Sequence, residues 1–101
     1  MKMLLRAKMP NEPFNSLIKS GKAGEKIQAA LADMKPEAIY FTEIDGSRGC
    51  IAIVDVDKPS SIPAIAEPLF LLFNAEVSFH IVMTPQDLAQ ANLDTIGKKF
   101  A

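Results

Sequence analysis

The stretch Glu37–Val56 constrains the fold of this chain more than any other. Two segments rich in β-branched and aromatic residues, Glu37–Ile44 and Cys50–Val56, flank the loop Asp45-Gly46-Ser47-Arg48-Gly49. Strand-forming segments on either side of a short Asp-Gly loop are the strongest local signal for a β-hairpin. We therefore predict two paired strands here and place the other segments relative to them.

The rest of the chain alternates between strand and helix patterns. Lys2–Met9 and Ala75–Met83 carry apolar residues at every second position, which predicts a strand before the hairpin and a fourth strand after it. Apolar residues at helical spacing predict three helical regions. These are Asn11–Met34, as one helix with a break or loop near Ser20–Gly24 or as two consecutive helices, then Ile62–Phe73, and a C-terminal helix with Leu88, Leu93, Ile96 and Phe100 on one side.

Several helix ends have recognisable signals. Asn11 is a candidate N-cap, and Thr84 with Asp87 resembles a capping box with Pro85 at the first helical position. Pro68 lies inside the Ile62–Phe73 helix, where we expect a kink or an early end. Asn74 suits a left-handed residue after that helix.

The order of these elements is β-α-β-β-α-β followed by a C-terminal helix. It predicts one domain of the α+β class across the 101 residues, a ferredoxin-like sandwich with a four-stranded antiparallel sheet. In a split βαβ arrangement the first strand lies beside the third and fourth, and right-handed crossovers place both helices on one face.

Alternation along the strands divides the sheet into two faces. The helix side is predicted to hold Met3, Leu5, Ala7, Ile39, Phe41, Val77, Phe79 and Ile81. The opposite face then carries Leu4, Arg6, Lys8, Tyr40, Thr42, Ser78, His80 and Val82. The facing of the third strand is ambiguous, and we assign its Ile51, Ile53 and Asp55 to this opposite face. If this face were left in water, it would expose an apolar patch larger than a monomer usually has, formed by Leu4, Tyr40, Ile51, Ile53 and Val82. We therefore predict a homodimer that packs open face to open face around a two-fold axis, with the polar members of the face lining a cavity or its rim.

Composition argues against several classes of function. The net charge is −1 and the pI about 5.7, without a basic run, so neither nucleic acid nor an anionic membrane is an expected partner. Cys50 is the only cysteine, which excludes an intrachain disulfide and a thiolate metal cluster. The chain start lacks the apolar stretch of a signal peptide, and the longest apolar run, Pro68–Phe73, is too short for a bilayer. A cytoplasmic protein without metal or cofactor is the expectation.

Three segments carry a resemblance to known proteins. Lys35–Thr42, Ile62–Pro68 and Met83–Leu88 resemble a family of small prokaryotic proteins of uncharacterised function. That family is similar to the dimeric α/β-barrel superfamily, which includes muconolactone isomerases, YCII-type proteins and cofactor-free monooxygenases. The resemblance implies a ferredoxin-like fold and a homodimer that forms a dimeric α/β barrel. It implies no catalytic residue, because those residues differ between members of the superfamily.

Three polar residues of the open face are candidate ligand contacts: Arg6, Tyr40 and His80. His80 is the only histidine, and its charge changes near neutral pH, so a general acid/base or a ligand contact is one hypothesis. The alternative, a hydrogen-bonded interface residue, is favoured because no carboxylate lies within sequence reach.

Tyr40 and Arg6, the other two candidates, also have structural interpretations that need no ligand. Tyr40 could orient a ligand oxygen, but filling a half-buried sheet face is the favoured interpretation. Arg6 could bind a carboxylate in bidentate fashion, but a cross-strand ion pair with Asp55 or Glu76 is favoured. Cys50 is expected to be an inert packing thiol.

The leading functional hypothesis is a homodimer that binds a small organic molecule, either between sheet and helices or between subunits. A cofactor-free isomerase or monooxygenase acting on a small aromatic or acidic compound is the first alternative, with His80 as proton shuttle. A structural assembly unit without a pocket is the second. The sequence identifies neither the ligand nor a catalytic residue.

Overall fold

The computed structural model describes every residue from Met1 to Ala101. Four strands form one sheet: β1 (Lys2–Met9), β2 (Ala38–Ile44), β3 (Ser47–Asp55) and β4 (Glu76–Ile81). The five α-helices are α1 (Asn11–Lys19), α2 (Ala23–Met34), α3 (Ile62–Phe73), α4 (Pro85–Gln90) and α5 (Leu93–Lys99). A short 3-10 turn, Pro59–Ser61, precedes α3. The α+β class is confirmed.

The sheet is open and antiparallel, in the order β2-β3-β1-β4. The predicted hairpin is β2 and β3, but its loop is shorter than the sequence suggested. β3 begins at Ser47, so Asp45 and Gly46 alone form the turn, with φ of 51° and 79°. Positive φ at both central residues is the type I′ pattern, whose twist matches that of the flanking strands.

Helices α1, α2 and α3 cover one face of the sheet and bury the core against it. Alternate residues of β1 and β3 supply the strand side, and Phe14, Ala30, Met34, Ile65, Leu69 and Phe73 supply the helix side. The rings of Phe14 and Phe73 are 5.3 Å apart, and the guanidinium of Arg48 lies 5.0 Å from the Phe14 ring. The predicted division of the strands into two faces is confirmed by the register.

The start of α1 differs from the prediction. Asn11 provides no side-chain cap, and Glu12 has extended backbone angles before a cis Glu12–Pro13 peptide. The carboxylate of Glu12 instead accepts hydrogen bonds from the backbone N–H and the hydroxyl of Ser16. Glu12 therefore caps the first regular turn, which leaves Asn11 outside it.

The other helix boundaries follow their local signals more closely. The predicted break appears between α1 and α2, and α2 ends at Met34, just before Lys35-Pro36. Asn74 adopts the expected left-handed conformation, with φ of 54°. Pro68 does not end α3, which continues to Phe73.

The C-terminal region is not the single helix that we predicted. Thr84 and Asp87 form the expected capping box, but Asn92 adopts a left-handed conformation and separates α4 from α5. Every residue from Pro85 to Ala101 is exposed. We call Pro85–Phe100 the arm.

The arm projects from the body of the molecule. The radius of gyration is 17.2 Å, against about 13 Å for a compact chain of this length, and the longest dimension of 60 Å is more than twice the next, 28 Å. None of the helices combines the length and apolar character that a membrane crossing needs.

Candidate functional site

The open face of the sheet, on the side away from α1–α3, holds the candidate site residues in a regular grid. The strand register arranges its side chains in three rows that cross all four strands from β2 to β4. The first row is Ala38, Ile53, Leu4 and His80; the second is Tyr40, Ile51, Arg6 and Ser78; the third is Thr42, Gly49, Lys8 and Glu76.

Arg6 lies near the centre of this face. It occupies the middle row of β1, with Ile51 of β3 on one side and Ser78 of β4 on the other. β1 is an interior strand, so the backbone of Arg6 is paired with β3 on one side and β4 on the other, and its position is fixed by the sheet. A guanidinium held on a rigid strand is suited to planar, bidentate recognition of a carboxylate.

The partner of Arg6 is not one of the two carboxylates that we predicted. Arg6 Nη2 lies 3.7 Å from Asp45 Oδ2, and Lys8 Nζ lies 3.9 Å from the same oxygen. Asp55 instead pairs with the N-terminal ammonium at 2.9 Å, and that hydrogen bond is the main reason why the pKa of Asp55 is lowered. The predicted ion pairs of Arg6 with Asp55 or Glu76 are therefore wrong.

His80 lies on β4, at one edge of the sheet. It faces Leu4 of β1 across the strand pair, diagonally next to Arg6. Its Nε2 is 3.4 Å from the hydroxyl oxygen of Ser78, two residues before it on the same strand. His80 is exposed, so a ligand or a second molecule can reach its imidazole.

Tyr40 lies on β2, at the opposite edge. Its ring is 72% exposed and adjoins Ile51 of β3. Three strand spacings of about 4.8 Å separate β2 from β4, so Tyr40 and His80 lie roughly 14 Å apart across one sheet. A single chain thus brings Arg6 near His80, but it does not bring Tyr40 and His80 together.

Sequence reasoning missed one residue of this cluster, Asp45. Lys8 was assigned to the open face because it follows Arg6 by two positions on a strand. Asp45 belongs to the β2–β3 turn, and the alternation of apolar and polar residues along a strand does not predict the direction of a side chain in a turn. Only the left-handed conformation of Asp45 and the pairing of β1 with β3 bring its carboxylate to the two cations.

The grooves of the single chain lie beside the open face, and the largest reaches it at its third row, at Lys8 and Glu76. The largest is a groove of about 540 Å³ at one end of the sheet, lined by Lys8, Pro10, Ser47, Asn74, Ala75 and Glu76. A second groove, of about 220 Å³, lies between the start of α3 and the end of β4. Neither includes Arg6, Tyr40 or His80, so these three residues line an exposed platform.

Cys50 lies on the helix side of β3, where 2% of it is exposed. Burial raises the pKa of its thiol, which keeps it protonated and weakly nucleophilic at neutral pH. This agrees with the predicted packing role. No three side chains of the His, Cys, Asp and Glu types converge in a way that would hold a metal ion.

Comparison with known proteins adds no family assignment. Neither the known protein-family models nor the curated protein sequences gave a match to this chain.

Proposed function

We propose that the protein is a homodimer whose two open faces pack together and bind a small organic acid between them. One observation carries the proposal: Arg6 is fixed at the centre of an uncovered sheet face, next to the apolar side chains of Leu4, Ile51 and Ile53. In the proposed dimer each open face is covered by the other, and the guanidinium of Arg6 can bind a carboxylate in the enclosed space. The chain would then be a ferredoxin-like member of the dimeric α/β-barrel superfamily.

The apolar residues of the open face support the dimer. Ile51 is 37% exposed in the single chain, Tyr40 is 72% exposed, and Leu4, Ile53 and Val82 are half-buried. These side chains belong to all four strands or their direct continuation, so they form a continuous surface. A surface of this kind gains free energy when it is removed from water, by roughly 25 cal/mol for each Å² of apolar area.

Two-fold symmetry would bring the separated candidates together. If the axis lies between the faces and runs along the strands, it exchanges the two edges of the sheet. β4 of one copy then lies opposite β2 of its partner. His80 of one copy would approach Tyr40 of the other, with Arg6 near the centre, and each dimer would hold two equivalent sites.

The position of Arg6 supports an anionic ligand. Dimer formation would bury Arg6, and a buried cation is costly unless it is paired. Asp45 lies 3.7 Å from it and remains 74% exposed, which is a loose contact that leaves the guanidinium fork free for another carboxylate. An acid with an apolar body would satisfy both Arg6 and the surrounding Leu4, Ile51 and Ile53.

The dimer interface can be tested with two matched isoleucines. Ile51→Lys places a charge in the proposed interface, while Ile18→Lys changes an isoleucine of α1 that is also exposed. We expect Ile51→Lys to weaken dimerisation at least about a hundredfold, because an unpaired buried charge costs about 3–5 kcal/mol. Analytical ultracentrifugation over a concentration series measures it. Equal effects of the two variants, or a wild-type monomer at all concentrations, would remove the interface.

The ligand class can be tested by thermal shift with a panel of small carboxylic acids, their amides and phenols. A ligand that binds the folded state raises the midpoint by mass action. We expect the acids to raise it more than their amides do, and we expect Arg6→Gln to abolish that difference. Lys22→Gln, a change at an exposed cation of the α1–α2 connection, is the control. Amides as effective as acids would contradict an anionic ligand.

A further inference from the structure

The arm is a pair of short helices whose residues are all exposed in the single chain. α4 has six residues and α5 seven, and isolated helices below about 12–15 residues are marginal in water. Leu93, Ile96 and Phe100 follow the i, i+3, i+7 spacing of one helix face. They are 55%, 46% and 78% exposed. The arm therefore needs a surface outside its own chain to bury this stripe.

The outer side of α3 is a second uncovered surface, with the same i, i+3, i+7 spacing and with one charged residue, Glu67, between two apolar ones. Its sequence, IPAIAEPLFLLF, contains one charged residue, Glu67. A helix that is apolar all round is typical of a buried position, yet Ala64, Glu67 and Leu71 all lie exposed on the outer side, with Leu71 at 79%. Phe70 flanks them and is also exposed.

We propose that the arm of one copy packs its Leu93, Ile96 and Phe100 stripe along the outer side of α3 of a second copy. The two stripes match in spacing, so side chains of one helix can fill the gaps of the other. Because the contact is reciprocal in a two-fold dimer, one pair of chains covers both arms and both α3 surfaces. The contact uses a surface different from the open face and does not require the open faces to meet.

Charge favours this occupant. Lys99 Nζ lies 5.7 Å from the Phe100 ring, at the border of the apolar stripe, and would lie beside Glu67, the one charged residue of α3, in the second copy.

The contact can be trapped with chains that carry one added cysteine each. Ile96→Cys and Leu71→Cys chains are prepared separately, mixed, allowed to exchange subunits, and treated with a short bis-maleimide. We expect a covalent dimer that contains one chain of each kind. Wild-type protein is the reagent control, because Cys50 is buried with a raised pKa and stays unmodified in the native state.

The control partner is Thr42→Cys, an exposed position on the open face of β2, on the opposite side of the sheet from α3. A mixture of Ile96→Cys with Thr42→Cys should not cross-link. Cross-linking to Thr42→Cys in place of Leu71→Cys, or no covalent dimer with either, would overturn the proposal. An intrachain product from a chain carrying both Ile96→Cys and Leu71→Cys, without intermolecular product in the mixture, would overturn it as well.

A charge reversal provides a second test that leaves the apolar stripe intact. Lys99→Glu opposes Glu67, and we expect the yield of the Ile96→Cys to Leu71→Cys product to fall roughly two- to fivefold, the range of an exposed ion pair. Adding Glu67→Lys to the α3-bearing chain should restore it. A yield that neither charge reversal changes would contradict the proposed pairing of Lys99 with Glu67.

Discussion

The carboxylate of Asp45 in the β2–β3 turn lies 3.7 Å from the guanidinium of Arg6 on β1 and so offsets the central cation of the open face. The same carboxylate oxygen lies 3.9 Å from Lys8. An exposed ion pair of this length stabilises the fold by at most about 1 kcal/mol. A ligand carboxylate can therefore displace Asp45 at small cost, and Asp45 would act as a competitor for the proposed anion.

Asp45→Asn should tighten the binding of small carboxylic acids by roughly two- to fivefold, because it removes this competing charge. The fold should tolerate the change, since Asn is among the residues that accept the left-handed conformation found at Asp45. Isothermal titration calorimetry with benzoate measures the effect, and Asp57→Asn is the control for net charge. Weaker binding by Asp45→Asn would mean that Asp45 belongs to the ligand site.

Gly49→Ala should destabilise the fold by about 1–3 kcal/mol, because the added methyl overfills a closed site. A β-carbon at Gly49 would lie 2.6 Å from Ile44 Cδ1 and 2.9 Å from the backbone oxygen of Ala7. Gly24→Ala is the matched control. Gly24 lies in α2 with no atom within 4 Å of such a carbon, so alanine there should stabilise the helix by up to about 1 kcal/mol.

Urea unfolding of the two glycine variants gives the comparison directly. The midpoint of Gly49→Ala should decrease and that of Gly24→Ala should remain or increase. A Gly49→Ala variant as stable as the wild type would mean that Ile44 and β1 yield more easily than their close packing indicates.

Alternation and turn chemistry predicted most of the sheet. β1 matches the predicted Lys2–Met9, and the faces of β1, β2 and β4 follow from their apolar positions. The sequence left strand 3 ambiguous because its run of apolar residues has no clear polar side. The structure resolves it, since pairing with β1 places Ile51 opposite Arg6 and Ile53 opposite Leu4.

The sequence-based predictions that are wrong or incomplete concern residues whose local propensity disagrees with the tertiary geometry. Asn11 is a good N-cap by type, but the extended Glu12 shifts the first regular turn past it. One apolar stripe from Leu88 to Phe100 suggested one helix, but Asn92 in a left-handed conformation divides it. Strand spacing assigned Arg6, Tyr40 and His80 to one face, whereas the distance between Tyr40 and His80 depends on strand order.

The stability of the fold should depend on the ionisation of Glu12 in acid. A hydrogen bond from the Ser16 hydroxyl is the main cause that lowers the pKa of Glu12 below its usual 4.5, with the Ser16 backbone N–H and the charges of Lys19 and Arg48 adding to it. A lowered pKa contributes stability that is present above the unfolded-state value and is lost as the pH falls through the folded-state value.

Glu12→Gln should therefore be less stable than the wild type near neutral pH, and the difference should shrink as the pH falls below 4.5. Urea midpoints measured from about pH 6 to about pH 3 follow this window. Glu25→Gln, at an exposed carboxylate in the first turn of α2, is the control for loss of charge near a helix N-terminus. A difference that grows in acid would contradict the assigned sign.

A site shared between subunits should be recoverable by mixing two defective variants. Tyr40→Phe and His80→Ala each remove one candidate contact, and these contacts lie at opposite edges of a single sheet. If each site takes Tyr40 from one chain and His80 from the other, a heterodimer of the two variants contains one intact site and one doubly altered site. Random exchange of equal amounts should restore about one quarter of the wild-type sites. Calorimetric stoichiometry with a carboxylic acid that binds the wild type measures it. Full binding by both variants alone would remove Tyr40 and His80 from the site, and weak binding by both with no recovery on mixing would place the site within one chain.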